Sequence, residues 1–288
     1  AHYNQGKLHK SVADYSRAIE LNPEHAAAYY NRGNAYYHQG QNEQAIADYG
    51  RAIELNPDYA AAYHNRGFAY YRQGEVEQAI ADYDRAIGLN PEHAPAYCNR
   101  GNAYYQQGEV EQAIADYSRA IELNPQHAIA YHNRGVAWAE RGDLEQAIAD
   151  YSRTIELNPD HVDAYFNRGV AHAERAEMDE ALADYNRVIE LNPEHALPYF
   201  SRGNAYFYRG ELGRAIADYS RAIELDPEYT AAYTTRGIAY DLRGEKDKAV
   251  ADFRRAQALS DDQGPDAQVE QQESSVAQQP SATPPETL

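Results

Sequence analysis

Apolar and small residues along this chain return at helical spacing, on two alternating stretches separated by glycine. In Ala60–His93, residues Tyr63, Gly67 and Tyr70 stand at i, i+4 and i+7, one face of a helix. Val76, Ala79, Ile80, Tyr83, Ala86 and Ile87 mark the inner face of a second helix. Gly74 lies between them, where a helix end calls for a residue that tolerates positive φ. Leu89-Asn90-Pro91-Glu92-His93 then leads into the next pair. Proline fits only the first turn of a helix, where its missing N–H would have no partner. Pro91 and Pro95 therefore cannot share one helix, and the spacing predicts a helix beginning near Ala94. We call the two helices of a pair A and B.

The same pattern recurs every 34 residues. Asn-Pro or Asp-Pro stands at 22–23, 56–57, 90–91, 124–125, 158–159, 192–193 and 226–227, and Arg-Gly keeps the same period from Arg32-Gly33 to Arg236-Gly237. A strict period of this length means a solenoid, in which each unit buries its apolar face against its neighbours. Residues 1–25 read as a truncated repeat that retains its helix B. Residues 26–260 hold seven repeats, beginning at 26, 60, 94, 128, 162, 196 and 230. The last helix is expected to act as a polar cap, since Lys246, Lys248, Arg254 and Arg255 crowd it and Gln257 replaces an isoleucine. Residues 261–288 are an acidic, Pro- and Gln-rich tail without Lys, Arg or aromatic residues, and are expected to be disordered. The chain opens inside a repeat, so an upstream segment is expected.

Composition narrows the partners. With 45 acidic against 26 basic residues the net charge is −19, which argues against nucleic acid or an anionic membrane as ligand. The one cysteine, Cys98, excludes an intramolecular disulfide and a multi-cysteine zinc site, and fits a reducing, cytoplasmic compartment. No apolar run reaches the length of a membrane span.

The 34-residue period, with Tyr63, Gly67, Tyr70, Ala79, Tyr83, Ala86 and Pro91 as its small and large signature positions, resembles the tetratricopeptide repeat. The resemblance covers about residues 1–260 and implies an all-α, right-handed superhelical solenoid of antiparallel helix pairs. It also implies a non-catalytic scaffold that binds protein segments with helix A, without a cofactor. This chain departs from the family in placing Arg before the first glycine of each unit, where Leu is usual. Tyrosine largely replaces Trp and Phe: there are 27 Tyr, 5 Phe and 1 Trp. Unit 162–195 drifts furthest, with Ala176 for the turn glycine, His172 for a tyrosine, and Met178. The Asn-Arg-Gly and Ile-Ala-Asp-Tyr phrasing resembles bacterial repeats.

Several periodic residues invite a chemical reading. His25, His93, His127, His161 and His195 share one repeat position, but packed helices lie about 8–10 Å apart and zinc holds its nitrogens at about 2 Å. They read as linker residues near a helix start, and no metal is expected. Gly33, Gly67 and their equivalents lack the strand and the Lys-Ser/Thr of a phosphate loop, and read as packing glycines. Arg32, Arg66, Arg100, Arg134, Arg168, Arg202 and Arg236 recur in step with Asp48, Asp82, Asp116, Asp150, Asp184, Asp218 and Asp252. The lockstep predicts an ion pair across the A–B seam, of the half-buried kind that fixes geometry. No Ser/His/Asp or Cys/His arrangement stands clear of the repeat, so no catalysis is expected.

The candidate peptide-binding residues lie on helix A. Asn31, Asn65, Asn99, Asn133 and Asn167 form a register of amides, each able to donate to and accept from a peptide bond. They resemble the asparagine ladder of the O-GlcNAc transferase repeats, which holds peptide backbones; the plainer alternative is a bond to a nearby backbone carbonyl in the next helix. One residue earlier stand Tyr30 and His64; further on stand Asn34, Tyr37, Phe68, Tyr71, Asn102 and Tyr105. An exposed aromatic stripe of this kind suits a binding groove. It weakens after Tyr105, where Ala139 and Ala173 replace tyrosine and Glu140 and Glu174 appear, so the N-terminal half is the favoured site. A chaperone-tail clamp is not expected, because Tyr30, Ala61, His64 and Pro95 stand where its basic residues belong. Two other readings remain open: self-association by end-to-end stacking, and the recognition arm of an enzyme with its catalytic domain upstream.

Overall fold

The computed structural model describes residues 2–263, and every regular element among them is an α-helix. Helix α1 is His2–Leu21; seven A–B pairs follow. They are α2 Ala26–His38 with α3 Asn42–Leu55, α4 Ala60–Arg72 with α5 Val76–Leu89, and α6 Ala94–Gln106 with α7 Val110–Leu123. Next come α8 Ala128–Glu140 with α9 Leu144–Leu157, α10 Val162–Glu174 with α11 Met178–Leu191, α12 Ala196–Tyr208 with α13 Leu212–Leu225, and α14 Thr230–Leu242 with α15 Lys246–Gln263. The described chain forms two compact units, one ending at Ala137 and the other beginning at Trp138.

Each pair closes because helix A gives up a side chain where helix B brings its largest. A Cβ on Gly101 would lie 2.7 Å from Tyr117 Cε1, closer than atoms approach, so only glycine admits the ring. Tyr49, Tyr83, Tyr117, Tyr151 and Tyr219 are thereby fully buried, with alanines above and below them. Gly74 ends helix A at φ 82°, and the amides of Gly74 and Glu75 donate to the carbonyls of Tyr71 and Tyr70. This Schellman arrangement satisfies carbonyls that the helix leaves open. Ala176 makes the same bonds at φ 60°, without glycine's freedom.

The linker has its own logic. The Asn90 side chain accepts from the Glu92 amide at 3.2 Å, and Asn22, Asn56, Asn124, Asn158 and Asp226 do the same in their units. The predicted helix start at Ala94 is observed, with Pro95 in the first turn. His127 and His161 serve as helix caps, their Nδ1 accepting from the amides of Ala130 and Ala164.

The Arg–Asp register forms ion pairs. Arg66 Nε and Nη2 donate to the two oxygens of Asp82, both at 2.7 Å, and Arg32, Arg100, Arg168, Arg202 and Arg236 repeat the fork. The aspartates are buried while the arginines keep partial access to water, stacked between tyrosines such as Tyr63 and Tyr70. Burial pushes the Asp82 and Asp116 carboxyls up, and the facing guanidinium opposes it. The remaining guanidinium nitrogen reaches the preceding helix B: Arg134 to Ser118, Arg168 to Ser152, Arg236 to Ser220, each at 2.9 Å. One side chain thus ties helix A to two helices B, a link the sequence pattern did not disclose.

Two differences appear at the ends. Helix α1 runs unbroken through Gly6, where the register predicts a turn. A remnant too short to form its own helix instead extends helix B. At the other end α15 continues through residues 261–263, which were assigned to the tail; residues 264–288 lie outside the described residues.

Candidate functional site

The asparagine register lies between successive A helices and not on an open face. Asn65 and Asn99 are 1 % exposed, and Asn133 and Asn167 are also buried; Asn31 is half-buried. Asn65 Nδ2 donates to the Tyr30 hydroxyl at 3.1 Å and to Asn34 Oδ1 at 2.8 Å. Asn133 Nδ2 donates to Asn102 Oδ1 at 2.8 Å. Asn34 and Asn102 each take a second bond, from the hydroxyls of Tyr49 and Tyr117. These amides therefore join neighbouring repeats. The expectation of an open ladder is corrected: Asn65 and Asn133 direct their donors to the adjacent helix A, as most buried polar groups do, while the buried Asn167 Nδ2 has no partner among the described residues.

The aromatic stripe needs the same correction. Tyr30, His64, Phe68, Cys98 and Asn102 are buried, and Tyr37, Tyr71 and Tyr105 are half-buried. Tyr37 meets Phe68 of the next helix A edge-on, with ring centroids 5.6 Å apart. Burial raises the phenols of Tyr37 and Tyr71. His64 Nδ1 lies 3.2 Å from His93 Nε2, and burial, followed by the nearby His93, pushes the His64 imidazole down to about 3. The large side chains of the N-terminal repeats thus spend part of their surface on one another across successive A helices.

The second unit differs. Between α10 and α12 the structure has a cleft of about 580 Å³. Phe166, Val170 and Ala173 of α10 form one wall, Phe200, Ser201 and Asn204 of α12 the other, with Met178 and Tyr185 of α11 behind. It opens where the repeat has lost bulk. Ala173 stands in register with Tyr37, Tyr71 and Tyr105, Ser201 with the asparagines, and Val170 with Phe68. Tyr208 at its edge is 76 % exposed. A smaller cleft of about 220 Å³ adjoins it, sharing Phe166 and Leu197 and adding Val162, Asp163 and Pro198. Glu174 is exposed on the larger cleft, and burial together with the charges of Asp184 and Glu174 raises the Tyr185 phenol. The sequence signal for this space is the tyrosine-to-alanine change at Ala173, which the sequence alone suggests weakens the stripe and which in the structure opens a cleft.

Models of the tetratricopeptide repeat match residues 1–40, 33–74, 69–108 and 203–242, 94–127, 140–196 and 117–149. The chain belongs to the tetratricopeptide repeat family. Repeats of this family build protein-interaction scaffolds and are typically non-catalytic. Among solved structures, YrrB, described as a tetratricopeptide repeat protein with an unusual peptide-binding site, is 28 % identical, covering 64 % of this chain and 95 % of its own at a TM-score of 0.56. MamA is 27 % identical over 56 % of this chain and 94 % of its own, at a TM-score of 0.54. A tetratricopeptide repeat protein from Parabacteroides merdae shares the fold at 24 % identity, covering 88 % and 98 %, at a TM-score of 0.62. No curated protein matches by sequence. Among the described residues, no helix is long and apolar enough to cross a membrane, and no group of three or more His, Cys, Asp or Glu is placed to hold a metal.

Proposed function

We propose that this tetratricopeptide repeat protein is a non-catalytic scaffold that holds an extended segment of a partner protein along the A helices of its second unit, at the α10–α12 cleft. The observation that carries this reading is the cleft itself, lined by Ala173 and Ser201 where the first three repeats have Tyr and Asn. Tyr208, Ile238 and Leu242, all on A helices of the same unit, are exposed large apolar side chains, and exposed apolar side chains on one series of helices suit a partner. The peptide-binding site named for YrrB supports the same class of ligand.

The test is a photo-crosslinking amino acid at position 208, with a control at Glu54, an exposed helix B position in the first unit. Discrete protein adducts at 208 that are absent at 54 support the reading. Equal adducts at both positions, or none at 208, would sink it.

A second reading is self-association. Leu21 on α1, and Val250 and Phe253 on α15, are exposed on the first and last described helices, and that last helix is less polar than its lysines and arginines suggest. A molar mass that rises with concentration and falls on Val250→Lys supports this reading; a constant monomer mass removes it.

A further inference from the structure

The chemistry of the clefts narrows the ligand. The walls of the larger cleft are apolar and aromatic, so they gain by taking in an apolar side chain. Its volume is enough for a bulky side chain and the backbone beside it. The smaller cleft shares Phe166 and Leu197, so the two form one continuous surface along α10 and α12. Each has one carboxylate on its lining, Glu174 on the larger and Asp163 on the smaller, and neither is lined by Lys or Arg. Among the described residues no cation pairs with Glu174, while nearby Arg175 is engaged by Glu177 and Arg209 by Asp179 and Glu211. An exposed carboxylate beside an apolar cleft favours a ligand cation at its edge, and a net charge of −19 favours the approach of basic segments.

We propose, resting on the groove reading above, that the α10–α12 clefts recognise an extended segment with a bulky apolar side chain next to Lys or Arg. The apolar side chain enters between Val170, Ala173 and Phe200. The basic side chain stays at the edge, facing Glu174. Ala173 sets the selectivity, because tyrosine at this register position would fill the space. Self-docking is disfavoured by charge: a second copy carries the same acidic excess.

The probes are fluorescein-labelled nonapeptides of Ser and Gly with a central Leu, Phe or Met between two Lys. Matched peptides carry a central Ala, or Glu in place of Lys. Fluorescence anisotropy against the full chain should show at least about tenfold tighter binding of the Lys-flanked bulky peptides than of either matched set. Ala173→Tyr should weaken that binding at least about tenfold, and Glu174→Lys should turn the preference toward Glu flanks. Tyrosine stands at this register position in three units of the same chain, so Ala173→Tyr should keep wild-type helicity; if it does not, Val170→Phe, in register with Phe68, serves instead. The inference is overturned if central Ala binds as well as Leu, if Lys and Glu flanks are equivalent, or if the filled cleft binds as the open one does. A concentration-dependent dimer abolished by Ala173→Tyr would assign the clefts to a second copy and also overturn it. If no peptide binds but the adducts at position 208 persist, this inference fails and the groove reading survives. If the adducts are absent as well, both fall.

Discussion

Phe68 and Val170 occupy one register position in units 60–93 and 162–195, and Tyr71 and Ala173 occupy another. In the first unit the large residues fill the groove side of helix A: Phe68 is buried and meets Tyr37, and Tyr71 is half-buried. In the second, the same backbone scaffold with smaller residues leaves an open apolar cleft of about 580 Å³. The difference is one of volume and not of fold. One register position either cements the neighbouring helix or leaves space beside it, according to the volume of its side chain.

The largest test of this contrast removes bulk from the filled side. Tyr83→Ala should cost about 3–5 kcal/mol, as for other buried aromatics. Val170→Ala, at the edge of a space already open, should cost about 1 kcal/mol. Urea midpoints read both, and equal losses would mean that the cleft is packed in solution. Next is the acid response of the filled side. The His64 imidazole titrates at about 3 when folded and near 6.5 when unfolded, so its contribution is complete above about pH 6.5 and is lost as pH falls from there toward 3. Stability should drop by about 2 kcal/mol between pH 6.5 and 4.5 through this residue alone. His64→Phe should remove that part of the slope, since Phe166 and Phe200 occupy its register position in the other unit. An unchanged slope in denaturation curves across that range would place the acid sensitivity elsewhere.

Smaller effects separate two repeats within the filled region. Tyr117 donates to Asn102, so Tyr117→Phe should cost about 1 kcal/mol. The buried Tyr83 hydroxyl has no partner among the described residues, Phe68 standing where Asn102 stands, so Tyr83→Phe should be neutral or slightly stabilising. A large loss for Tyr83→Phe would reveal a bound water. Another small change lies beside the open cleft. Ala176→Gly should raise the urea midpoint by the equivalent of about 0.5–1 kcal/mol, because it relieves a left-handed alanine at φ 60°.

The helix pairs, their boundaries and the Arg–Asp register were readable because each rests on local chemistry repeated seven times. Gly74 announces a left-handed helix end, Pro95 a first turn, and the lockstep of Arg66 with Asp82 a paired seam. The site was less legible. Asn65 was correctly placed on helix A, but an amide that binds a peptide and one that binds Tyr30 and Asn34 have the same sequence register. Tyr37 and Ala173 were noticed as different, yet whether an aromatic side chain makes a groove or fills one depends on the helix opposite.

The sequence by itself determined the repeat, its helix ends, its glycine–tyrosine packing and its excess of acid, because these follow from backbone preferences and from spacing within one unit. Only the tertiary structure decided which face of helix A remained open. That outcome depends on side-chain volumes summed across two repeats: Tyr37 against Phe68 closes the space, whereas Ala173 near Ser201 leaves it. Periodicity tells which residues face one another, and packing decides whether room is left between them.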